Sequence, residues 1–328
     1  MTDLIGLIGD IGGTNARFAI GRVAAGGAIT VEHLRVLQAA QYATGADAVR
    51  AYLAGLGKSL KPRFGVIAAA GPIEDGEVVF TNNKAWSFSE RGLADVAGLA
   101  GAKLINDFAA QALALDHLAP QDWRALGPED LQGEPGVTRA ILGPGTGFGA
   151  GARVEDGRGV SILTGEAGHM GFAPEDAVEA AILARMSQQF GRCSVERLLS
   201  GPGLAHIYAA LNAENGVETQ PLEPLQITHH AMSGDVLCRA ALSRFCAILG
   251  SVAGDLALAY GARGGVYITG GIAPDIYDFL RDSAFRERFE AKGRMSAYLQ
   301  RIPTRVVVRP DAALVGAASL LPDLERHA

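Results

Sequence analysis

The sequence predicts an α/β fold built from two domains. Short apolar runs alternate with helical spacings along most of the chain, which is typical of layered α/β proteins. The 328 residues exceed what one simple core usually needs. A stretch rich in Pro, Gly and charge at 120–137 separates two halves and is interpreted as a linker. We therefore expect a smaller domain from 1–119 plus 311–328, and a larger one from 120–310.

The first half begins with a short apolar run that ends at a glycine-rich turn, after which an extended pattern resumes. This predicts strand, tight turn and strand, followed by alternating helices and buried strands. The expected strands are 4–8, 16–23, 64–70, 78–80 and 103–105, and the expected helices are 42–60, 93–99 and 108–118.

The second half restarts with a strand and is richer in helical patterns. Its last helix contains mainly small residues, so we expect it to return and pack on the first domain. The expected strands are 140–142 and 265–269, and the expected helices are 176–189, 194–199, 233–260 and 312–321.

The charge pattern argues against a nucleic-acid partner. Lys and Arg number 29 against 35 Asp and Glu, which gives a net charge of −6. The Arg-rich stretch at 281–309 also contains Asp282, Glu287 and Glu290, which is typical of a solvated helix face. We expect small-molecule ligands instead.

Three features predict a soluble, cytoplasmic protein. The three cysteines form no CxxC pair, which indicates free thiols in a reducing compartment. The N-terminus has Asp3 where a signal peptide needs positive charge. The apolar stretch at 248–268 is interrupted by Asp255 and Arg263, so no membrane span is expected.

Two glycine-rich turns, at 9–14 and 142–147, each follow an apolar strand and lead into another extended segment. Gly-Gly suits ordinary hairpins as well as close approach to phosphate. The repetition, with a threonine in each turn, favours a polyphosphate held from both sides. A carboxylate such as Asp10 beside such a turn can hold hydrated Mg²⁺.

Competing phosphate motifs fit less well. The Gly-Lys-Ser at 57–59 lacks the first glycine of a P-loop because Tyr52 stands there, and it follows a helical pattern. We expect Gly57 to end that helix. A dinucleotide fingerprint at 145–150 opens no helix and lacks the acidic partner.

Polar clusters mark three further candidate sites. Asn106 and Asp107 follow a strand and open a helix, which is ordinary for capping. At the carboxyl end of a strand, however, a carboxylate can accept the proton of a hydroxyl that attacks a γ-phosphate. Glu166 and His169 lie among glycines and can bind adjacent hydroxyls, whereas a solvated carboxylate and an ordinary histidine are the alternatives. Glu196 alone would be a routine helix-start acid.

Taken in order, several segments resemble bacterial glucokinases of the hexokinase type. The resemblance runs from residue 4 to about residue 320, and several motifs in the right order are far more specific than any one alone. The matching segments are 9–17, 105–108, 143–147, 165–169, 196–201, 269–272 and 285–293.

This resemblance implies the actin-like ATPase (ribonuclease H-like) fold, with a cleft between two α/β domains, and a homodimer. It implies Asp107 as catalytic base, Mg²⁺ held by Asp10 through water, and no structural zinc, because the Cys-rich motif of related sugar kinases is absent. The implied sugar ligands are Asn106, Asp107, Glu166, His169 and Glu196. The implied ATP-binding residues are Asp10, Gly12, Gly13, Thr14, Asn15, Gly145, Thr146, Gly270 and Gly271.

The family pattern is not matched at every position. Ala167 stands where the family usually has Gly, a small change. Asn82 stands where the family has Thr in a Thr-Asn-x-x-Trp pattern, which weakens the case for a sugar contact from the loop before Trp86.

The implied activity is ATP-dependent phosphorylation of D-glucose at O6, the first step of glycolysis. Two alternatives stay open at this point. One is a kinase for another hexose, such as fructose or mannose, because epimer choice depends on hydrogen-bond geometry in the pocket. The other is a non-catalytic sugar-sensing protein of the same fold.

Overall fold

The computed structural model describes residues 3–57, 60–80, 86–214, 216–217 and 220–327. The chain forms two compact units. The first unit comprises Met1–Ala119 together with Arg309–Ala328, and the second comprises Pro120–Val308. The chain therefore passes from one unit to the other twice.

Strands and helices alternate in both units. The strands are β1 (Leu4–Ile11), β2 (Asn15–Val23), β3 (Ile29–Gln38), β4 (Phe64–Ala69), β5 (Ile73–Glu74), β6 (Glu77–Val78), β7 (Phe88–Ser89), β8 (Gly101–Asn106), β9 (Trp123–Leu126), β10 (Arg139–Pro144), β11 (Phe148–Asp156), β12 (Gly159–Gly165), β13 (Val266–Ile268) and β14 (Thr304–Val307). The helices are α1 (Gly45–Ala54), α2 (Glu90–Ala97), α3 (Asp107–Ala114), α4 (Ala177–Phe190), α5 (Gly201–Glu214), α6 (Pro224–Met232), α7 (Val236–Tyr260), α8 (Ile272–Asp275), α9 (Tyr277–Arg281), α10 (Phe285–Glu290), α11 (Ser296–Leu299), α12 (Ala312–Ala318) and α13 (Leu321–Arg326).

The main sheet of the first unit has the order β3-β2-β1-β4-β8. The strands β1 to β3 run antiparallel, whereas β4 and β8 run parallel to β1. Ile11 pairs with Ala69, and Ala69 pairs with Asn106. The carboxyl ends of these three parallel strands therefore share one edge of the sheet.

Helix α12 lies close against α3 in the same unit. A Cβ on Gly316 would overlap the carbonyl oxygen of Ala110, so only glycine permits this approach. The small-residue composition of this last helix follows from that packing, because larger side chains would separate the two backbones.

The sheet of the second unit repeats the arrangement, in the order β12-β11-β10-β13-β14, with β9 added antiparallel beside β14. The strands β10 to β12 run antiparallel, and β13 and β14 run parallel to β10. Leu142 pairs with Ile268, and Ile268 pairs with Val306. The carboxyl ends of these strands again share one edge.

Helix α7 forms the centre of the second unit. Within the described residues it is the one helix long and apolar enough to cross a membrane, but 67% of its most apolar window is buried in the protein. Such burial is that of a core helix, because its apolar side chains are already covered by protein. The cytoplasmic location and the absence of a membrane partner stay predictions.

Several sequence-based boundaries were wrong. The expected linker 120–137 contains β9, which pairs with β14. The expected helix 42–60 spans only Gly45–Ala54, and Gly55, not Gly57, is its C-cap. Lys58 and Ser59 lie outside the described residues. The helix expected at 194–199 is a single 3₁₀ turn at Val195–Arg197. Strands β3, β11, β12 and β14 and helices α5 and α6 were not predicted.

Candidate active site

The first glycine-rich turn lies at the carboxyl edge of the first unit. Asp10 and Ile11 still belong to β1, so the turn is shorter than expected. The Gly12 N–H donates to the carbonyl oxygen of Asn15 at 3.0 Å and closes the hairpin. A Cβ on Gly13 would meet no atom within 4 Å. Open space therefore borders this turn.

Contacts from the last residue of β3 and from the residue after it hold the same turn in place. The Ala39 N–H donates to the carbonyl oxygen of Thr14 at 2.9 Å. The Gln38 side-chain amide donates to Asn15 Oδ1 at 2.8 Å. The Thr14 side chain is left exposed at the tip.

Asp10 lies just before the turn and faces Arg17 across the β1–β2 pair. Arg17 Nη1 lies 3.9 Å from Asp10 Oδ2 and also donates to the carbonyl oxygen of Pro310 at 3.1 Å. Burial raises the pKa of the Asp10 carboxyl above its usual value, and the Arg17 guanidinium acts in the opposite direction. The side chain is 23% exposed, so a hydrated cation can reach it.

Asn106 and Asp107 lie at the same edge, where β8 runs into α3. Asn106 is the N-cap, and its Oδ1 accepts from the N–H groups of Phe108 at 2.9 Å and Ala109 at 3.3 Å. Asn106 Nδ2 donates to the carbonyl oxygen of Gly71 at 3.3 Å. Asp107 is the first helical residue, and its Oδ1 accepts from the Phe108 N–H at 3.0 Å. Its carboxylate thus lies at the N-terminus of α3.

The second glycine-rich turn lies at the carboxyl edge of the second unit. The Gly145 N–H donates to the carbonyl oxygen of Gly147 at 2.8 Å, and Gly145 O accepts from the Gly201 N–H at 2.8 Å. A Cβ on Gly145 would meet nothing within 4 Å, and Thr146 is exposed. The turn is closed by its own backbone and fastened to the start of α5.

The segment after β13 lies directly against this turn. A Cβ on Gly143 would lie 2.5 Å from the carbonyl oxygen of Thr269. Gly270 has a φ of +88°, and a Cβ there would overlap the carbonyl oxygen of Pro144. Gly271, by contrast, borders open space. Glycine is required at 143 and 270 for packing, while Gly271 faces a region where a ligand has room.

Glu166 precedes a 3₁₀ turn that follows β12, and His169 is the last residue of that turn. The His169 N–H donates to the carbonyl oxygen of Glu166 at 3.0 Å, and both residues are exposed. Between them, a Cβ on Gly168 would overlap the carbonyl oxygen of Phe148. The turn therefore packs on β11 and presents both polar residues to solvent.

Glu196 connects two parts of the second unit. Its Oε2 accepts from the Phe148 N–H at 2.9 Å. Its carbonyl oxygen accepts from the Ser200 hydroxyl at 2.8 Å. The neighbouring Val195 N–H donates to the carbonyl oxygen of Met170 at 2.9 Å, which places the 3₁₀ turn of Glu196 beside that of His169.

The structure gathers the predicted residues into two sets, one at each sheet edge. The first unit holds Asp10, Gly12, Gly13, Thr14, Asn15, Asn106 and Asp107. The second unit holds Gly145, Thr146, Glu166, His169, Glu196, Gly270 and Gly271.

Sequence reasoning missed the backbone partners Gly71, Phe148 and Gly201. Glycine was the signal at 71, Gly201 also ends the segment 196–201 that resembles the family, and nothing marked Phe148. The loop 82–85 lies outside the described residues. Trp86, which follows it, is 2% exposed and donates its indole N–H to the carbonyl oxygen of Tyr42 at 3.3 Å, as a core residue does.

In the part of the chain that the structure describes, no group of three or more His, Cys, Asp or Glu side chains is arranged to hold a metal ion. A lone carboxylate such as Asp10 suits Mg²⁺, which keeps several waters and takes phosphate oxygens as ligands. The donor set therefore fits a cation that arrives with a nucleotide.

Comparison with known proteins identifies the family. A family model described as Glucokinase matches residues 7–324. The glucokinase of Caulobacter sp. strain K31 is 51% identical over 320 residues, which cover 97% of this chain and 96% of that protein. The crystal structure of a glucokinase from an Antarctic psychrotroph has a TM-score of 0.86 at 37% identity and covers 97% of this chain and 99% of that one.

A more distant structure shares the fold. The ROK family glucokinase from Streptomyces griseus, solved with glucose and AMPPNP, has a TM-score of 0.65 at 20% identity and covers 100% of both chains. The predicted α/β class is confirmed, and the fold is that of sugar kinases. The predicted family is confirmed as well: this chain belongs to the glucokinase family.

Proposed function

We propose that this chain transfers the γ-phosphoryl group of ATP to O6 of D-glucose. The observation that supports this most directly is the position of Asp107. Its carboxylate lies at the N-terminus of α3, at the edge that also bears the first glycine-rich turn. Membership of the glucokinase family supplies the substrate pair.

In the proposed reaction, O6 of glucose attacks the γ-phosphorus and Asp107 accepts the hydroxyl proton. The new bond joins O6 to phosphorus, the bond from phosphorus to the bridging oxygen breaks, and ADP leaves. The transition state is loose, so the enzyme mainly positions the reactants and neutralises charge. Asn106 supports this role because its cap contacts fix the start of α3, on which Asp107 lies.

The nucleotide would be bound by the two glycine-rich turns. Gly12, Gly13, Thr14 and Asn15 offer N–H and side-chain groups in the first unit, and open space borders Gly13. Gly145, Thr146, Gly270 and Gly271 would bind phosphate and adenosine from the second unit. Asp10 would hold Mg²⁺ through water, and the cation would supply positive charge that offsets the charge of the phosphate groups.

The sugar would be bound by side chains from both units. Asn106 and Asp107 belong to the first unit, whereas Glu166, His169 and Glu196 belong to the second. We therefore propose a cleft in which one glucose engages both units, so that the sugar stabilises a closed state. Closure would exclude bulk water and limit ATP hydrolysis before the sugar binds.

Small-angle scattering tests this closure. Glucose should lower the radius of gyration, and a sugar without the hydroxyls assigned to Glu166 and His169 should lower it much less. If glucose binds by calorimetry while scattering and limited proteolysis stay unchanged, the sugar site lies within a single unit. Light scattering on the same samples tests the expected homodimer.

A coupled assay tests the activity itself. Product formation should be fastest with glucose in a panel that also contains fructose, mannose and N-acetylglucosamine. A preference for fructose or mannose would support the alternative of a kinase for another hexose. Sugar binding without any ADP release would support a non-catalytic sugar-sensing protein.

A further inference from the structure

Glu196 contacts the second glycine-rich turn (Gly145–Gly147), which is called the phosphate turn below. A residue that only binds the sugar would not need this contact. Its Oε2 accepts the N–H of Phe148, the residue directly after the turn Gly145–Gly147. A Cβ on Gly147 would lie 2.5 Å from the same oxygen, so the carboxylate rests against the turn itself. The side chain therefore has a structural role at the position where phosphate is expected.

The turn is fastened at both ends by one short segment. At its far end Glu196 holds Phe148, and at its near end the Gly201 N–H donates to the carbonyl oxygen of Gly145. Between these two, the Ser200 hydroxyl donates to Glu196 O at 2.8 Å and accepts from the Gly203 N–H at 3.0 Å. The segment 196–201 and the phosphate turn thus form one hydrogen-bonded assembly.

A carboxylate can accept hydrogen bonds at both of its oxygens. With Oε2 on the Phe148 N–H, Oε1 can accept a sugar hydroxyl at the same time. A sugar bound to Oε1 would restrict the rotation of the carboxylate and keep Oε2 on the turn. The same side chain would then bind the sugar and hold the phosphate turn in place.

We propose that Glu196 is a positioning residue for the phosphate turn and that it couples sugar binding to nucleotide binding within the second unit. This rests on the proposed function, because it takes glucose and ATP as the ligands. Coupling of this kind is reciprocal, so glucose should tighten nucleotide binding by the factor by which the nucleotide tightens glucose binding.

Calorimetry with AMPPNP and Mg²⁺ on the full chain, without sugar, tests the positioning role. Glu196→Ala should weaken AMPPNP binding by roughly 5- to 20-fold, since it removes a charge-assisted bond to the turn. Glu196→Gln should stay within about twofold of wild type, because the amide oxygen still accepts the Phe148 N–H. Glu166→Ala is the matched control for the loss of a sugar-binding carboxylate, since Glu166 lies on the exposed turn after β12, and it should leave the AMPPNP affinity measured without sugar unchanged.

Equal AMPPNP affinity in wild type and Glu196→Ala would overturn the proposal, since Glu196 would then bind only the sugar. If circular dichroism shows that Glu196→Ala is unfolded, Glu196→Gln and Glu166→Gln are compared instead. Both lose a charged sugar acceptor, but only Glu196→Gln should reduce the tightening of AMPPNP by saturating glucose. Equal reductions in the two variants would overturn the proposal. Failure of the proposed function would appear separately, as a wild type that binds no AMPPNP or phosphorylates no glucose.

Discussion

The two glycine-rich turns occupy equivalent places in two similar sheets, yet different groups hold them. In the first unit the supports are the Ala39 N–H and the Gln38 side chain, both at the end of β3. In the second unit the supports are the Glu196 carboxylate and the Gly201 N–H. The first turn is thus held by residues at the end of a strand of its own sheet. The second is held in part by Glu196, a residue that is proposed to bind the sugar. Two sheets with the same strand order can therefore support equivalent turns through different contacts.

The glycines in and beside the two turns also serve different purposes, which differ from one position to another. Gly13 borders open space, so glycine there favours ligand approach. Gly143 and Gly270 are in contact with backbone oxygens, so glycine there allows two chain segments to touch. Gly145 and Gly271 in the second unit border open space as Gly13 does, so glycine indicates room for a ligand at these positions and internal packing at 143 and 270.

The largest expected effect tests whether the chemistry lies in the first unit. Asp107→Asn should lower kcat by about 10²–10⁴-fold with little change in glucose affinity, because the amide keeps the shape but cannot accept the proton. Steady-state kinetics and glucose calorimetry on the same preparation separate the two quantities. A variant that kept half of the wild-type kcat would show that another group takes the proton.

The next effect tests the difference between the glycines. Gly270→Ala should lower the free energy of unfolding by about 2–4 kcal/mol, because it combines a strained positive φ with overlap on the Pro144 carbonyl. Gly13→Ala should change stability by less than about 0.5 kcal/mol. Urea titration followed by fluorescence measures both.

Affinity for AMPPNP should distinguish the same two variants. Relative to the stability that each variant loses, Gly13→Ala should lose more affinity than Gly270→Ala. Gly13→Ala should weaken AMPPNP binding in a protein as stable as wild type, because the new methyl group occupies the open space beside the turn. If Gly13→Ala were instead the destabilising variant and Gly270→Ala the neutral one, the contrast between these two glycines would be wrong.

Elements with a strong local pattern were predictable from the sequence, and elements that depend on distant partners were not. The buried strand Phe64–Ala69 is apolar throughout. Strand β3 was missed because half of its residues are polar and none is buried, and His33 has a φ of +55° at an irregularity of the β2–β3 ladder. Strand β9 was mistaken for linker because, among the described residues, it pairs only with Thr304–Val307, far along the chain.

The candidate site followed the same rule. Asp107 could be singled out because it comes directly after a strand, and the strand order then placed it at the same sheet edge as the first glycine-rich turn. The assignment of Asn106 as the N-cap required the structure, since Asn106 and Asp107 are both residue types that suit this position. The bond between Glu196 and Phe148 joins a side chain to a backbone N–H, and a backbone donor is the same for every residue type except proline. No sequence pattern records such a contact.

A smaller effect tests whether recognition lies in the second unit. Glu166→Gln should raise KM for glucose by roughly 10- to 100-fold, as expected for a lost charge-assisted acceptor, with kcat changed far less. Kinetics at saturating ATP give both constants. Unchanged glucose kinetics would mean that the turn after β12 does not reach the sugar, while a selective fall in kcat would move Glu166 into the chemical step.

The smallest effect returns to the supports of the first turn. Gln38→Ala removes the 2.8 Å bond to Asn15 Oδ1, an exposed contact between neutral groups. Such a bond contributes about 0.5–1.5 kcal/mol, and exposure favours the lower end, so KM for ATP should rise by less than about fivefold. The main-chain bond from Ala39 to Thr14 remains, and no side-chain substitution at 38 removes it.

The turn should therefore keep its shape, and the effect of glucose on AMPPNP affinity should equal that of wild type, unlike in Glu196→Gln. Calorimetry with and without glucose measures this directly. If Gln38→Ala reduced that effect as strongly as Glu196→Gln does, sugar binding would be coupled to both turns, and the assignment of coupling to the second unit alone would fail.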